Sequence, residues 1–154
     1  AAKTNLFADR PTLDGTAWLD PRSGEGAAIA WLSRQVKDTA VILEAPGDEY
    51  NAAHNRVSGW TGLPTVLGWA GHEWQWRGNA DESTRRAPDI AAIYQAANGE
   101  RVRALLDKYG IDYVYIGPYE VEKYGIHDGN LAILDEVLER VYERDGVLIY
   151  RRRS

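Results

Sequence analysis

The chain has 154 residues, 44% of them hydrophobic and 27% charged, which suits one domain with a hydrophobic core. Its formal net charge of -5 argues against a nucleic-acid-binding protein, which needs a basic surface to neutralise phosphates. The absence of Cys excludes disulfides and cysteine metal sites, and no stretch approaches the ~20 apolar residues of a membrane span. Met is also absent, even at position 1, which we interpret as a piece of a longer protein.

The first half of the chain predicts an arm, one helix and two short strands. Residues 1–22 are rich in proline and glycine turns and predict an N-terminal arm that precedes a single α/β domain of residues 23–154. Ser23 is suited to cap a helix whose apolar residues follow helical spacing. Short apolar runs at 40–47 and 64–69 predict buried strands.

The second half predicts four more helices and two more strands. The polar residues 79–87 predict an exposed loop, followed by a helix with Pro88 in its first turn and by a further helix. The clearest strand is 111–117, a short helix follows at 119–124, and helical spacing at 131–141 precedes a closing strand at 146–151. The order predicts an α/β protein, a three-layer sandwich around a mostly parallel or mixed central sheet of about four to five strands.

The segment from Gly68 to Gly78 holds three of the six Trp residues together with His, Glu, Gln and Arg. A core segment does not need these polar residues, and a surface segment does not need three Trp. Because aromatic faces stack on sugar rings while polar side chains bind hydroxyls, the mixture favours carbohydrate binding. The predicted ligand-binding residues are His72, Glu73, Trp74, Gln75, Trp76 and Arg77, supported by Glu44, Tyr50 and Arg56.

Residue spacing weighs against several other chemistries. His72 and Glu73 begin like the zinc-protease pattern His-Glu-x-x-His, but Trp76 stands where the second His must be. A metal site that adds Glu44 and His54 to the first two residues has no supporting spacing, so neither a metal nor a cofactor is predicted. The chain also lacks a Gly-x-Ser-x-Gly nucleophile and the phosphate-loop and dinucleotide fingerprints.

Two alternatives to a binding domain stay open. Glu44 and Glu73 are candidate paired carboxylates of a self-sufficient carbohydrate-active hydrolase, provided that their separation suits glycosidic chemistry. Alternatively, the Trp-rich segment is an internal clamp of a purely structural domain, with Glu73 and Arg77 as an ion pair at i,i+4 spacing. Enclosed Trp74 and Trp76 rings would indicate the clamp, whereas an open cleft would indicate binding.

Several segments together resemble the soluble C-terminal region of the YYY membrane proteins of Chloroflexus-type bacteria and archaea. These multi-spanning proteins are similar to the lipid-linked-sugar glycosyltransferases, which include the oligosaccharyltransferases. The resemblance covers nearly the whole chain, and its longest segment is the specific one. The matching segments are 12–19, 30–32, 41–45, 55–58, 61–78, 113–118 and 147–150.

The resemblance implies a soluble extracytoplasmic domain of a membrane glycosyltransferase-like protein. Its partner would be the membrane-spanning part of the same parent, and it would contact a glycan, a lipid-linked sugar or an acceptor, with no nucleic acid. The spans and the tyrosine triplet that names the family are missing here. In related enzymes the catalytic carboxylate lies mainly in the membrane part, so we expect no catalysis by this fragment alone, while the parent is a candidate glycosyltransferase.

Overall fold

A computed structural model describes residue 20 and residues 22–47, 54–68 and 81–153. Nearly all of the predicted N-terminal arm therefore lies outside the described residues, as do Tyr50 and the block from His72 to Arg77. Glu44 and Arg56 are described. The predicted arm and domain boundary stay predictions.

Six helices occur among the described residues. Ser23 caps the first helix as predicted, because its hydroxyl oxygen accepts a hydrogen bond from the Gly26 N–H at 3.0 Å. None of these helices is long and apolar enough to cross a membrane. In chain order they are α1 Gly24–Gln35, α2 Arg56–Thr61, α3 Asp81–Tyr94, α4 Gly99–Tyr109, α5 Pro118–Tyr124 and α6 Asp128–Val137.

Four described strands form one mixed sheet in the order β1-β2-β4-β3. The first two strands pair in parallel, while β2–β4 and β3–β4 are antiparallel. The predicted mixed sheet of an α/β fold is therefore confirmed. The strands are β1 Ile42–Leu43, β2 Tyr113–Ile116, β3 Leu138–Arg144 and β4 Val147–Arg152.

Helices cover both faces of the sheet. On one face, α1 and α2 pack against Tyr115 and Ile149. On the other face, α3, α4 and α6 pack against Val114, Ile116 and Tyr150. Neighbouring residues of β2 and β4 thus enter opposite cores, as the alternation of side chains along a strand requires. The sheet is the middle layer of the predicted α/β sandwich.

The loop predicted at 79–87 is wrong over its described part, residues 81–87, although Thr84, Arg85 and Ala87 are exposed. Helix α3 begins at Asp81, so Pro88 lies inside the helix rather than in its first turn. The apolar face of the helix is buried in the core, and tertiary packing of that kind outweighs the polar composition of the first turns. Arg86 also holds this half of the helix, because its Nη1 donates to the Val66 carbonyl at 2.6 Å.

The helix predicted at 131–141 ends at Val137, and β3 follows at once. The chain then reverses through Asp145 (φ 49°) and Gly146 (φ 77°) into β4. Positive φ at both central residues is typical of a two-residue type I′ hairpin turn, which favours strands on either side of it. The apolar residues after Val137 thus belong to β3, although their spacing also fits a helix.

The strand predicted at 64–69 is reduced, in its described part, to a single parallel bridge between Thr65 and Ile42. The Ile42 N–H donates to the Pro64 carbonyl at 2.9 Å. This contact places the segment 62–68 beside β1 on the side away from β2.

Candidate functional site

The carboxyl ends of β1 and β2 lie side by side, because the two strands are parallel. Glu44 follows β1 directly, and Gly117 follows β2 and precedes α5. Tyr94 of α3 holds this end from the face of the sheet that α3, α4 and α6 cover. Its hydroxyl lies 2.9 Å from the Tyr115 carbonyl and 3.3 Å from the Leu43 carbonyl. In open α/β sheets, ligands bind at the carboxyl ends of parallel strands, so this edge is the candidate site.

Glu44 caps helix α2 from a different part of the chain. Its side chain is 0% exposed, and its two oxygens accept hydrogen bonds from the N–H groups of Val57 and Ser58, each at 2.8 Å. Burial raises the pKa of the Glu44 carboxyl, while these hydrogen bonds lower it; the net shift is upward. Both oxygens of this predicted site residue are thus committed to backbone donors.

Arg56, the first residue of α2, joins two carboxylates. Its Nη2 donates to Glu120 Oε2 at 3.1 Å and its Nε to Glu25 Oε1 at 2.6 Å. Arg56 is 7% exposed and Glu120 0%, whereas the Glu25 side chain is 35% exposed. Burial lowers the pKa of Arg56, but the two carboxylates outweigh it and hold that pKa above its usual value. The cluster ties α1, α2 and α5 together.

Glu120 also receives backbone donors from both strand ends. Its Oε2 accepts from the Gly117 N–H at 2.9 Å, and its Oε1 accepts from the Ala45 N–H at 3.1 Å. One buried carboxylate therefore links the residues that follow β1 and β2. A buried charge is stable only with such partners, so the arrangement fixes the local backbone.

Asn55 connects two loops at this edge. Its Nδ2 donates to the Leu67 carbonyl at 3.0 Å, and its Oδ1 accepts from the Gly47 N–H at 3.4 Å. Gly47 directly precedes residues 48–53, and Leu67 lies two positions before residues 69–80. The described ends of both segments therefore meet beside the first turn of α2.

Aromatic and basic side chains form the rim next to Pro46. The His54 ring stacks on the Tyr119 ring at a centroid distance of 4.5 Å. The Tyr119 hydroxyl donates to the Pro46 carbonyl at 3.4 Å, and Lys123 Nζ contacts the same oxygen. Arg56 lies 5.8 Å from the Tyr119 ring centre, which connects the rim to the buried cluster.

Of the predicted site residues, the structure places Glu44 and Arg56 in one buried network around α2. Tyr50 and the block 72–77 lie outside the described residues, so their predicted contacts stay predictions. Sequence reasoning missed Glu25, Asn55 and Glu120. Glu120 carried one usable signal, since it stands three residues after Gly117 at a helix start, the position of a capping-box acid.

The described residues contain no group of three or more His, Cys, Asp or Glu side chains that could hold a metal ion. Their polar network instead suits anchoring. Glu44 is sealed from solvent with both oxygens engaged, and Glu25 is the partly exposed carboxylate of the cluster. This environment favours a structural task for Glu44 over acid–base attack on a glycosidic bond, which needs a carboxyl in contact with the sugar.

Among known proteins, the chain shows similarity only to solved structures. No protein-family model matches the chain, and no curated protein does. One similar solved structure is the C-terminal globular domain of an oligosaccharyltransferase from Archaeoglobus fulgidus. It is 14% identical with a TM-score of 0.48, and the match covers 94% of this chain and 99% of that chain. No residue role is carried over from it, and the relation to the YYY membrane proteins stays a prediction.

Proposed function

We propose that this chain is a soluble extracytoplasmic domain of a membrane glycosyltransferase-like protein. In this proposal the block from His72 to Arg77 binds part of a glycan or of its acceptor, beside an active site in the membrane-spanning part of the parent. The composition of the block supports binding, because stacking and hydroxyl-binding side chains alternate in it. The sequence resemblance to the YYY proteins supports the membrane parent.

One structural observation carries the binding role. The hydrogen bond from Asn55 to the Leu67 carbonyl holds the chain just before the block at the carboxyl end of the parallel strand pair. This end of an α/β sheet is where ligands bind in proteins of the class. The segment 48–53, which includes Tyr50, starts from the same edge, because Gly47 bonds to the same amide.

The described cluster would supply the rigid base for that surface. Glu44 fixes α2, and Arg56 locks α2 to α1 and α5 through its two carboxylate partners. Such supporting interactions hold binding residues in one geometry and lower the entropic cost of ligand binding. In this proposal Glu44 and Arg56 act through the fold rather than by touching the sugar.

The internal clamp is the second candidate, and a specific observation favours it. Val66 and Leu67, which lead into the block, are 4% and 2% exposed and belong to the core that α3 covers. A segment that starts in the core can continue there with its Trp rings enclosed. The two candidates differ in one measurable property, which is the response of the block to added sugar.

A titration followed by Trp fluorescence tests binding. The probes are glucose, galactose, mannose and N-acetylglucosamine, together with their β-1,4-linked disaccharides. Wild type should respond to at least one probe, and Trp76→Ala should raise its Kd at least about tenfold, because buried Trp contacts dominate binding free energy. His72→Ala should weaken binding as well.

Trp31→Phe is the matched control for this experiment. Trp31 lies on α1, and its ring packs at a centroid distance of 5.5 Å against the ring of Tyr142 in β3, which stands at the opposite end of the strand order from β1. Its loss should change the fluorescence intensity and leave the Kd unchanged. Absence of any sugar response in wild type would favour the clamp.

The gene sequence that precedes Ala1 tests the membrane parent, since hydrophobic spans there would support it and a start codon there would contradict it.

A further inference from the structure

A cavity of about 570 Å³ lies where α3 ends, between the end of α5 and the first turns of α6. Its volume falls in the range of ligand pockets, which is about 300–1,000 Å³. None of the buried residues Glu44, Arg56 and Glu120 lines it. The cavity is therefore separate from the polar network around α2, and it is formed by residues whose side chains and backbone the structure describes.

Asn130 joins the two helix ends that border this cavity. It is 8% exposed, its Nδ2 donates to the Gln95 carbonyl, and its Oδ1 accepts from the His127 N–H at 3.0 Å. These bonds fix the end of α3 to the start of α6. Ala96, which follows Gln95 and lines the cavity, has φ 27°, an uncommon value for a residue with a Cβ atom. Backbone strain of this kind is concentrated at functional sites.

Two side chains at the cavity keep hydrogen-bonding capacity for a ligand. Gln95 is exposed, and no described residue bonds its side-chain amide, which carries both donors and an acceptor. The Nδ1 atom of His127 accepts from the Gly129 N–H at 3.1 Å, so the proton of the neutral ring lies on Nε2. Among the described residues, no Asp, Glu, Lys or Arg lines the cavity. Its polar groups thus suit an uncharged ligand.

An aromatic ring and aliphatic side chains form the rest of the lining. The ring of Tyr124 stacks on the fully buried ring of Tyr94, with the centroids 4.7 Å apart and the planes inclined by 14°. Ala97 and Ile133 add apolar surface beside it. Because Tyr94 already holds the Tyr124 ring, a ligand that packs on this wall orders little that is mobile, which lowers the entropic cost of binding.

We propose that this cavity is a separate carbohydrate-binding site, which takes a neutral sugar residue of a glycan. The C–H face of the sugar ring packs on Tyr124, while Gln95 and His127 bind its hydroxyls. The uncharged lining selects a neutral sugar over a phosphorylated one, because a desolvated charge without a partner is unfavourable. The inference goes beyond the proposed function, since none of these residues belongs to the Trp-rich block.

Amide NMR spectra of the isotope-labelled chain locate the site during a titration with glucose, galactose, mannose and N-acetylglucosamine. At least one sugar should shift the Gly125 and Gly129 signals and the side-chain amide of Asn130, with one common Kd on the order of millimolar. Sorbitol, which has hydroxyls but no ring face, should shift these signals far less. Inorganic phosphate should not shift them, because no cationic side chain of the described residues lines the cavity.

Two variants and one matched control make the test specific. Gln95→Ala removes the side-chain amide and keeps the backbone carbonyl that Asn130 uses. Tyr124→Leu removes the aromatic ring and keeps apolar bulk. Each should raise the Kd about two- to tenfold, because one hydrogen bond or one ring contact is lost. Gln35→Ala removes an exposed Gln at the end of α1, on the other face of the sheet, and should leave the Kd unchanged.

The outcomes separate this inference from the proposed function. If no sugar shifts the Gly125 and Gly129 signals, or if both variants bind as wild type does, the cavity is not a sugar site. Trp76→Ala tests the other site and should leave the Kd measured at Gly125 unchanged. Loss of the Gly125 shifts in Trp76→Ala would contradict a separate site. Shifts at Gly125 without any Trp fluorescence response would support the cavity and contradict the proposed role of the block.

Discussion

Arg56 is a nearly buried arginine that pairs with two carboxylates at the edge of the sheet. It is 7% exposed, and its guanidinium meets the fully buried Glu120 and the partly exposed Glu25. Replacing it with Met leaves Glu120 with its backbone donors but without the Arg56 cation. Removal of one partner from a buried pair costs about 3–5 kcal/mol, so we expect Arg56→Met to lower the free energy of unfolding by that amount. Chemical denaturation at pH 7 measures it.

Two further variants make this prediction specific. Arg140→Met removes a more exposed arginine that pairs with Asp135 and with Glu143, each at 2.8 Å, and it should cost less than Arg56→Met because solvent screens these pairs. Glu120→Gln in the Arg56→Met background should recover part of the loss, since the unpaired charge is gone. A cost for Arg56→Met no larger than that for Arg140→Met would contradict a buried ion-pair role.

Asp89 gives a prediction on pH. The hydrogen bond from Lys108 Nζ at 2.6 Å, with one from the Tyr109 hydroxyl at 2.8 Å, lowers the pKa of Asp89 below its usual value. A depressed carboxyl pKa adds stability above the unfolded pKa of about 3.9, and this stability is lost as the pH falls through the folded pKa. Asp89→Asn should therefore be less stable than wild type at pH 7, by an amount that shrinks towards pH 2.

Thermal unfolding of both proteins from pH 7 to pH 2 measures that difference. Salt should reduce it, because Lys108 is 56% exposed and Arg101, the third partner, is 61% exposed. The matched substitution Asp145→Asn lies in the hairpin turn, where the pair with Arg144 is exposed on both sides. Its stability difference should not follow this pH course, and an identical course would contradict a specific role for Asp89.

The residue types of the site were partly visible in the sequence. Glu44 was a candidate because it stands at the end of a predicted strand, where a carboxylate could work together with Glu73. Glu25 and Glu120 were not, since they lie 31 and 64 positions from Arg56 and only the fold brings them to it. Asn55 could not be found either, because its contacts with Gly47 and Leu67 depend on how the fold brings the two loops together.

At the scale of elements, the β3–β4 hairpin depends on its turn. Gly146 has φ 77°, in the left-handed region that residues with a Cβ atom avoid. We expect Gly146→Ala to lower the free energy of unfolding by about 1–2 kcal/mol. Gly59→Ala is the control of opposite sign: a Cβ there meets nothing within 4 Å inside helix α2, so stability should rise by about 0.5–1 kcal/mol.

Urea denaturation of the two glycine variants provides the measurement. A stabilising Gly146→Ala would contradict the type I′ turn. The Asp-Gly pair at 145–146 is a hairpin signal in the sequence, but the helical spacing of apolar residues across Val137 favours a helix over the first part of β3. The start of α3 was missed for a different reason: its first turns are polar, and its helical state depends on packing further along.

At the scale of the whole molecule, one sheet separates two cores. Short strands with apolar residues on both faces predicted a sheet covered on both sides, and the layers follow that prediction. The antiparallel pairings of β4 were not predictable from composition, because strand direction depends on which strands become neighbours. The central strand β2 supplies Val114 to one core and Tyr115 to the other, so neither core can be lost alone while the sheet persists.

Coupled cores predict a single unfolding transition. Ile29 is 1% exposed in the core beneath α1, and Ile93 is 0% exposed in the core beneath α3. Ile29→Val and Ile93→Val should each cost about 0.5–1.5 kcal/mol, and the double variant should cost their sum within about 0.5 kcal/mol. Far-ultraviolet circular dichroism and Trp fluorescence should give coincident transitions in all three variants. A variant in which the two signals separate would show that one layer unfolds independently, which the shared strand β2 does not allow.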